Sequence, residues 1–146
     1  YTEYLNMFEH ANITFKSCSA LFGGGFQTDH GVVMSGGTAV LRDCSAKTSG
    51  GGMYMDGNMT IRRGTYMAFN NCSANFGGGL YSAGELNMSG HATFDSCSAG
   101  KWGGGAYTKY DLNIFEHANI TFKSCSALFG GGFQTDHGVV MSGGTA

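Results

Sequence analysis

Residues 69–81 read FNNCSANFGGGLY, and variants of this phrase recur along the whole chain. In each copy a Phe or Leu is followed by two polar residues, by Cys-Ser-Ala, and two or three residues later by three consecutive glycines. The five copies are spaced by 26, 28, 25 and 28 residues and carry one cysteine each: Cys18, Cys44, Cys72, Cys97 and Cys125. A period of this length is typical of solenoids and other repeat arrays.

A second, longer period lies above the short one. Residues 8–39 recur without a single change at 115–146, so the array begins again after 107 residues, or four unlike coils. The sequence therefore predicts one continuous solenoid segment over 1–146, with coils at about 13–39, 40–67, 68–92, 93–119 and 120–146. We expect both termini to be cut from a longer precursor.

Three short runs in each coil alternate apolar and polar residues, as strands do. Ile13-Thr14-Phe15 precedes a cysteine, Leu80-Tyr81 follows a glycine triplet, and Leu86-Asn87-Met88 represents the third run. A helix is disfavoured, because each of the 26 glycines would destabilise it by about 1 kcal/mol. Parallel crossover connections are right-handed in almost all known cases. The sequence thus predicts an all-β fold, a right-handed parallel β-helix with about 26 residues and three short strands per coil.

Stacked coils turn each position of the repeat into a column along the axis. The residues before the cysteines predict an inward, mostly aromatic column of Phe15, Leu41, Phe69, Phe94 and Phe122. The cysteines predict a ladder of free, buried thiols; disulfides between neighbouring coils are the alternative. The glycine triplets indicate a bend that leaves no room for Cβ atoms or needs positive φ. Tyr54, Tyr81 and Tyr107 are expected to point outward and stack on one another, the alternative being a sugar-binding or filament-contact stripe.

The phrase Phe69-Asn70-Asn71-Cys72-Ser73-Ala74 with Gly77-Gly78-Gly79-Leu80-Tyr81 resembles the paired FxxN and GGAI-type repeats of chlamydial polymorphic outer-membrane proteins. Similar repeats occur in large surface proteins of microbial eukaryotes. The resemblance spans every coil and implies a right-handed β-helix with a surface adhesin or scaffold role. This chain departs from the pattern by placing cysteine where the family usually has asparagine, which replaces an internal Asn ladder by a thiol ladder.

Five Asn-x-Ser/Thr sequons predict N-linked glycans on a secreted protein, at Asn12, Asn58, Asn71, Asn87 and Asn119. Strand parity places Asn12, Asn58, Asn87 and Asn119 on the solvent side, whereas Asn71 lies at the bend beside a cysteine. Glycans would also keep a surface soluble in which only 12% of the residues are charged.

Composition and spacing argue against most other functions. A net charge of −2 disfavours nucleic acid as a partner, and no apolar run is long enough to span a membrane. Neither metal-ligand spacing nor a gathered set of carboxylates is evident, so we expect no metal, cofactor or catalytic residue. Asp29 and Asp56 share a turn column, but the following coils place Ala83 and Lys109 there.

The verbatim repeat then favours one function among those that remain. An adhesin shapes one site by varying its coils, whereas a fibre gains from an identical period that extends without limit. We therefore expect the tandem-repeat shaft of a glycosylated extracellular or cell-surface filament, with the chain itself as head-to-tail partner. An adhesin-like binding module is the alternative, and a polysaccharide-processing enzyme is a weaker one.

Overall fold

The computed structural model describes the backbone of residues 4–143 and the side chains from residue 6 onward; residues 1–3 and 144–146 of the predicted segment lie outside the described part. Twenty short strands follow one another, and no helix occurs between residues 4 and 143. In chain order the strands are β1 Tyr4–Met7, β2 Asn12–Lys16, β3 Ser19–Phe22, β4 Phe26–Thr28, β5 Gly31–Met34, β6 Gly37–Arg42, β7 Ser45–Ser49, β8 Met53–Met55, β9 Met59–Ile61, β10 Thr65–Asn70, β11 Ser73–Phe76, β12 Leu80–Ser82, β13 Leu86–Met88, β14 His91–Asp95, β15 Ser98–Trp102, β16 Ala106–Thr108, β17 Leu112–Phe115, β18 Asn119–Lys123, β19 Phe133–Thr135 and β20 Val139–Ser142.

The strands form four parallel sheets that run the length of the molecule. Sheet A contains β1, β5, β9, β13, β17 and β20; sheet B contains β2, β6, β10, β14 and β18. Sheet C contains β3, β7, β11 and β15; sheet D contains β4, β8, β12, β16 and β19. The chain visits A, B, C and D in turn, which gives about five coils of roughly 27 residues. The predicted all-β parallel β-solenoid is confirmed.

The prediction of three strands per coil is wrong, because every complete coil contains a fourth. Sheet C is built from the segments that follow the cysteines, such as β11. Its strands begin with Ser-Ala and show no clean alternation of buried and exposed residues, and their register shifts within each pair. Strands are predicted from the alternation of apolar and polar residues. The small residues of these irregular strands do not alternate in this way, so the sequence did not predict sheet C.

A sharp turn joins sheets B and C immediately before each cysteine. The residue at this point has positive φ in all five coils, between 52° and 57°. The residues concerned are Ser17, Asp43, Asn71, Ser96 and Ser124. Asn and Asp tolerate this left-handed conformation better than bulkier residues. The second polar residue of the recurring phrase is therefore a turn residue.

The three glycines of each triplet are required for three different reasons. Gly77 has a φ of 60°, a conformation that side chains disfavour. A Cβ on Gly78 would lie 2.2 Å from the oxygen of Gly104 and 2.3 Å from that of Ser98, both in the next coil. A Cβ on Gly79 would lie 2.8 Å from Cδ1 of Phe94. The triplet thus lets the backbone turn and pass close to the backbone of the next coil. It also leaves space for the aromatic column beside the last glycine.

The predicted inward column lies in sheet B. Phe15 pairs with Leu41, Leu41 with Phe69, Phe69 with Phe94 and Phe94 with Phe122. The rings of Phe69 and Phe94 stack at 4.7 Å and 3°, and those of Phe94 and Phe122 at 5.0 Å and 16°. Methionine, leucine and isoleucine side chains complete the core, among them Met34, Leu41, Met55, Met59, Ile61, Met67, Leu80, Leu86, Met88 and Ile114.

Candidate functional site

The cysteines form a ladder of free thiols along the turn between sheets B and C. Cys44, Cys72 and Cys97 are buried, whereas Cys18 and Cys125, in the two outer coils, are half-buried. The thiols of Cys72 and Cys97 donate to the carbonyls of Leu41 and Phe69, both at 3.4 Å. Each of these carbonyls belongs to the inward column of the preceding coil, so the ladder ties neighbouring coils together.

Burial raises the pKa of the Cys44 thiol from its usual value of 9.0 to about 11. The neighbouring Cys72 thiol, together with burial, raises the pKa of Cys97, whereas the hydrogen bond with Cys97 lowers the pKa of Cys72. A thiol that holds its proton is a poor nucleophile and a poor metal ligand. Cys44 and Cys97 are therefore suited to packing rather than to chemistry.

Three of the five sequon asparagines present their amide to solvent. Asn12 and Asn119 are exposed and begin β2 and β18. Asn58 is also exposed, and its Oδ1 accepts a hydrogen bond from the amide of Glu85 at 2.9 Å. That bond leaves Nδ2, the atom to which a glycan is attached, without a hydrogen bond to the described residues.

The other two sequon asparagines are held by neighbouring side chains. Asn71 is exposed, but its Nδ2 donates to Oδ1 of Asp43 at 2.8 Å and its backbone occupies the left-handed turn. Asn87 is half-buried, and its Oδ1 accepts from Nδ2 of Asn113 one coil away at 2.9 Å. A glycan on Nδ2 of Asn71 would displace its bond to Asp43, and a glycan on Asn87 would have to extend from a half-buried side chain.

The tyrosine column of sheet D does not stand in solvent as expected. Tyr54 and Tyr81 stack at 5.0 Å and 7°, as the sequence led us to expect, but Tyr81 and Tyr107 are buried. Aromatic residues at the ends of the sheet C strands cover them: the ring of Phe76 lies 6.4 Å and that of Trp102 5.8 Å from Tyr107. Because the strands of sheet C were not predicted, the cover over the tyrosines was missed. The aromatic residue that precedes Gly23, Gly77, Gly103 and Gly130 was a signal in the sequence.

The tyrosine hydroxyls are tied to acidic residues of the adjoining turns. Tyr54 donates to Asp56 at 2.6 Å, and Tyr107 donates to Asp136 in the next coil, also at 2.6 Å. Burial, reinforced by the carboxylate partner, raises the pKa of both tyrosines. The rings are therefore fixed in the corner between sheets C and D, which we call the aromatic groove (Phe22, Tyr54, Phe76, Tyr81, Trp102 and Tyr107).

One part of the aromatic groove opens into a cleft of about 230 Å³. Its lining comes from the ends of the sheet C strands, from sheet D and from the turn after β16: Ser49, Phe76, Tyr81, Trp102, Tyr107 and Lys109. This is a cavity with an apolar floor and a few polar groups, which is the usual character of a small-ligand site.

The acidic and histidine residues do not assemble a catalytic or metal centre in the described part of the chain. Within residues 4–143 no three His, Cys, Asp or Glu side chains meet in a way that could hold a metal ion. Glu116 and His117 approach to 3.8 Å, but both are exposed. The described residues also contain no helix that could cross a membrane.

The two ends of the solenoid expose the edges of all four sheets together with part of the core. The verbatim repeat permits a direct comparison, since Val32 and Met34 recur as Val139 and Met141. Val32 and Met34, covered by the following coil, are 1% and 0% exposed; Val139 and Met141, in the last coil, are each 50% exposed. The same residues thus lie in the core or on an open end according to whether another coil follows.

No protein-family model, curated protein or solved structure matches this chain.

Proposed function

We propose that this chain is the shaft of an extracellular or cell-surface filament, in which coils of the same period continue the solenoid head to tail. The open, apolar end beside β20 carries this proposal. Its side chains have the same sequence as a segment that is fully buried inside the solenoid, so a further coil is the surface that they fit. That coil can belong to the same chain or to a second copy.

The sheet edges agree with continuation of this kind. Sheet A begins with β1 and ends with β20, and sheet B begins with β2 and ends with β18. Stacking two copies end to end brings each free edge against the free edge of the same sheet. The main-chain donors and acceptors at both edges then find partners, as they do between coils within one copy.

A cross-linking experiment tests the stacking directly. In a head-to-tail stack the ladder continues across the junction, so Cys125 of one copy lies beside Cys18 of the next, about one coil spacing or ~4.8 Å away. A short bismaleimide reagent should then yield a series of covalent oligomers. Either Cys18→Ser or Cys125→Ser should abolish the series, whereas Cys44→Ser, a buried member of the ladder, should preserve it.

Electron microscopy and fibre diffraction of the native material supply the independent check. We expect thin unbranched fibres with a strong reflection near ~4.8 Å along the fibre axis. A monodisperse 15.3 kDa monomer at all accessible concentrations, without covalent oligomers, would contradict the proposal.

We further propose that the filament carries N-linked glycans and that Asn12, Asn58 and Asn119 are preferred over Asn71 and Asn87. The first three side chains are exposed and their Nδ2 atoms bond to no described residue, whereas Nδ2 of Asn71 is bonded to Asp43 and Asn87 is half-buried. Protein secreted from eukaryotic cells should show this order of occupancy by mass spectrometry after enzymatic deglycosylation in ¹⁸O water. Equal occupancy at all five residues would contradict the preference.

A further inference from the structure

The cleft in the aromatic groove exists because one coil departs from the others. At the end of the sheet C strands the register pairs Phe22 with Ser49, Ser49 with Phe76, and Phe76 with Trp102. An aromatic residue at each of these four positions would form a continuous wall over the tyrosines. Ser49 occupies one of the four positions and leaves a gap in the wall.

Ser49 supplies a polar group at the opening. The residue is only 4% exposed and lines the cleft. None of the fully buried side-chain oxygens and nitrogens of the described residues lacks a hydrogen-bond partner, so the Ser49 hydroxyl is not an orphaned buried group. Its place in the lining lets it bond to a molecule held in the cleft.

The aromatic residues restrict how such a molecule can bind. The ring centroids of Phe76 and Trp102 are 5.3 Å apart, and those of Trp102 and Tyr107 are 5.8 Å apart. The rings are in contact with one another, so no ligand can insert between them. A ligand must lie against their outer faces, where Trp102 is 38% exposed.

The charges around the cleft select the ligand further. Lys109 lines the cleft, and the ammonium of Lys101 lies 5.6 Å from the ring centroid of Phe76. These two ammonium groups weaken the binding of cationic ligands such as quaternary ammonium compounds. The carboxylates of Asp56 and Asp136 keep their charge, and each accepts a hydrogen bond from a tyrosine hydroxyl.

We propose that this cleft binds one pyranose ring of a carbohydrate. A pyranose has an apolar C–H face that can stack on Trp102 and Phe76, and hydroxyl groups at its edge that can bond to the Ser49 hydroxyl and the Lys109 ammonium. The volume of about 230 Å³ lies below the roughly 300–1,000 Å³ of pockets for larger ligands, so it suits a single ring. The ring can come from an external polysaccharide or from an N-glycan of a neighbouring copy.

The chain provides its own reporter, because Trp102 is its one tryptophan. Unglycosylated protein is titrated with the methyl glycosides of glucose, galactose, mannose and N-acetylglucosamine. At least one of them should change the Trp102 fluorescence saturably. No saturable change with any of the four would overturn the proposal, whether or not the protein forms filaments.

Matched variants locate the site. Ser49→Ala should weaken binding roughly three- to tenfold through loss of a hydrogen bond. Ser49→Phe should abolish it by restoring the aromatic wall present in the neighbouring coils. Tyr66→Ala, which removes an exposed aromatic on sheet B, should leave it unchanged. Binding that survives Ser49→Phe, or that is lost with Tyr66→Ala, would place the sugar elsewhere and overturn the assignment.

Glycosylated protein distinguishes the two sources of the ring. If the protein's own glycans fill the cleft, the Trp102 fluorescence is shifted before any sugar is added and returns to the unglycosylated value on enzymatic deglycosylation. If the ligand is external, the glycosylated and unglycosylated proteins start from the same fluorescence and titrate alike.

Discussion

Gly79 is fixed by the residues above and below it in the stack rather than by its neighbours in sequence. A Cβ at this position would meet the ring of Phe94 and the carbonyl oxygen of Gly105, both at 2.8 Å and both one coil away. The same relation governs Cys97, whose thiol bonds to the carbonyl of Phe69 in the preceding coil. The residue at each position is therefore constrained by the residues that occupy the same column in the neighbouring coils.

Gly79→Ala should destabilise the protein by roughly 1–3 kcal/mol, because the added methyl group overpacks the core against Phe94 and against rigid backbone. Gly138→Ala is the matched control, since its Cβ would meet only Oδ1 of Asp111 at an ordinary 3.5 Å. Urea unfolding followed by circular dichroism measures both. Equal stability of the two variants would show that the glycine triplet is not tightly packed.

Stability should fall in alkaline solution as Cys44 loses its proton. Burial raises the native pKa of this thiol to about 11, above its usual 9.0, so the folded state keeps a proton that the unfolded state releases. The contribution is full below pH 9 and is lost as the pH rises through 11. Urea unfolding at pH 8, 9.5 and 11 should show the decline, and Cys44→Ala should reduce its slope. An unchanged slope in the variant would contradict the assignment to Cys44.

At the scale of the strand, sheets A and B could be predicted because apolar and polar residues alternate in their strands, and sheet D because an apolar residue and then Tyr or Gln follow every glycine triplet. In β10, Thr65, Met67 and Phe69 are buried while Tyr66 is exposed, which is the alternation read from the sequence. Sheet C could not be found in this way. Its strands begin with Ser and Ala, and the aromatic residue that ends β3, β11 and β15 packs on the tyrosines of sheet D instead of on the main core.

The candidate sites likewise differ in whether they could be predicted from the sequence. The aromatic column and the cysteine ladder could be predicted because they depend on the period alone. The cleft could not, since it depends on a contact between sheets C and D and on the single Ser49 that interrupts an aromatic column. Likewise, the sequons were visible in the sequence, but the bonds that engage Asn71 and Asn87 depend on side chains from neighbouring coils.

Phe69→Asp should unfold the central coils, because it places an unpaired charge in a position that is fully buried and stacked on Phe94. Tyr66→Ala, three residues earlier in the same strand, should change the free energy of unfolding by about 0.5 kcal/mol or less, as is usual for exposed side chains. Thermal unfolding compares the two variants. A Phe69→Asp protein with wild-type melting behaviour would show that the column does not face the core.

At the scale of the whole molecule, the position of a segment in the stack determines whether its side chains are buried or exposed. Residues 32–34 and 139–141 are identical, yet the first set is covered by β9 and the second forms part of an open end. In repeat proteins stability is approximately the sum of each coil and its contacts with its neighbours. The terminal coils therefore have the least to lose from substitution.

Val32→Lys and Val139→Lys should have opposite consequences although the residues share their local sequence. The first buries an unpaired ammonium and should unfold the first coil, whereas the second places it on the open end and should preserve the solenoid. If copies stack head to tail, Val139→Lys should also block the stacking. Circular dichroism reports the fold and light scattering the assembly; normal assembly of folded Val139→Lys protein would exclude this end as the junction.

The parallel arrangement of the coils also determines how the molecule would respond to tension. The strands nearest the two chain ends, β1 and β20, lie at opposite ends of sheet A, so a force applied to the ends acts along the hydrogen bonds between coils and loads the outermost coil first. Each coil of about 27 residues occupies ~4.8 Å of axis when folded and releases roughly 90 Å of extended chain when it detaches. Under load the solenoid would lengthen in steps from its ends, and in the proposed filament this reserve of length would limit the force that reaches the attached structures.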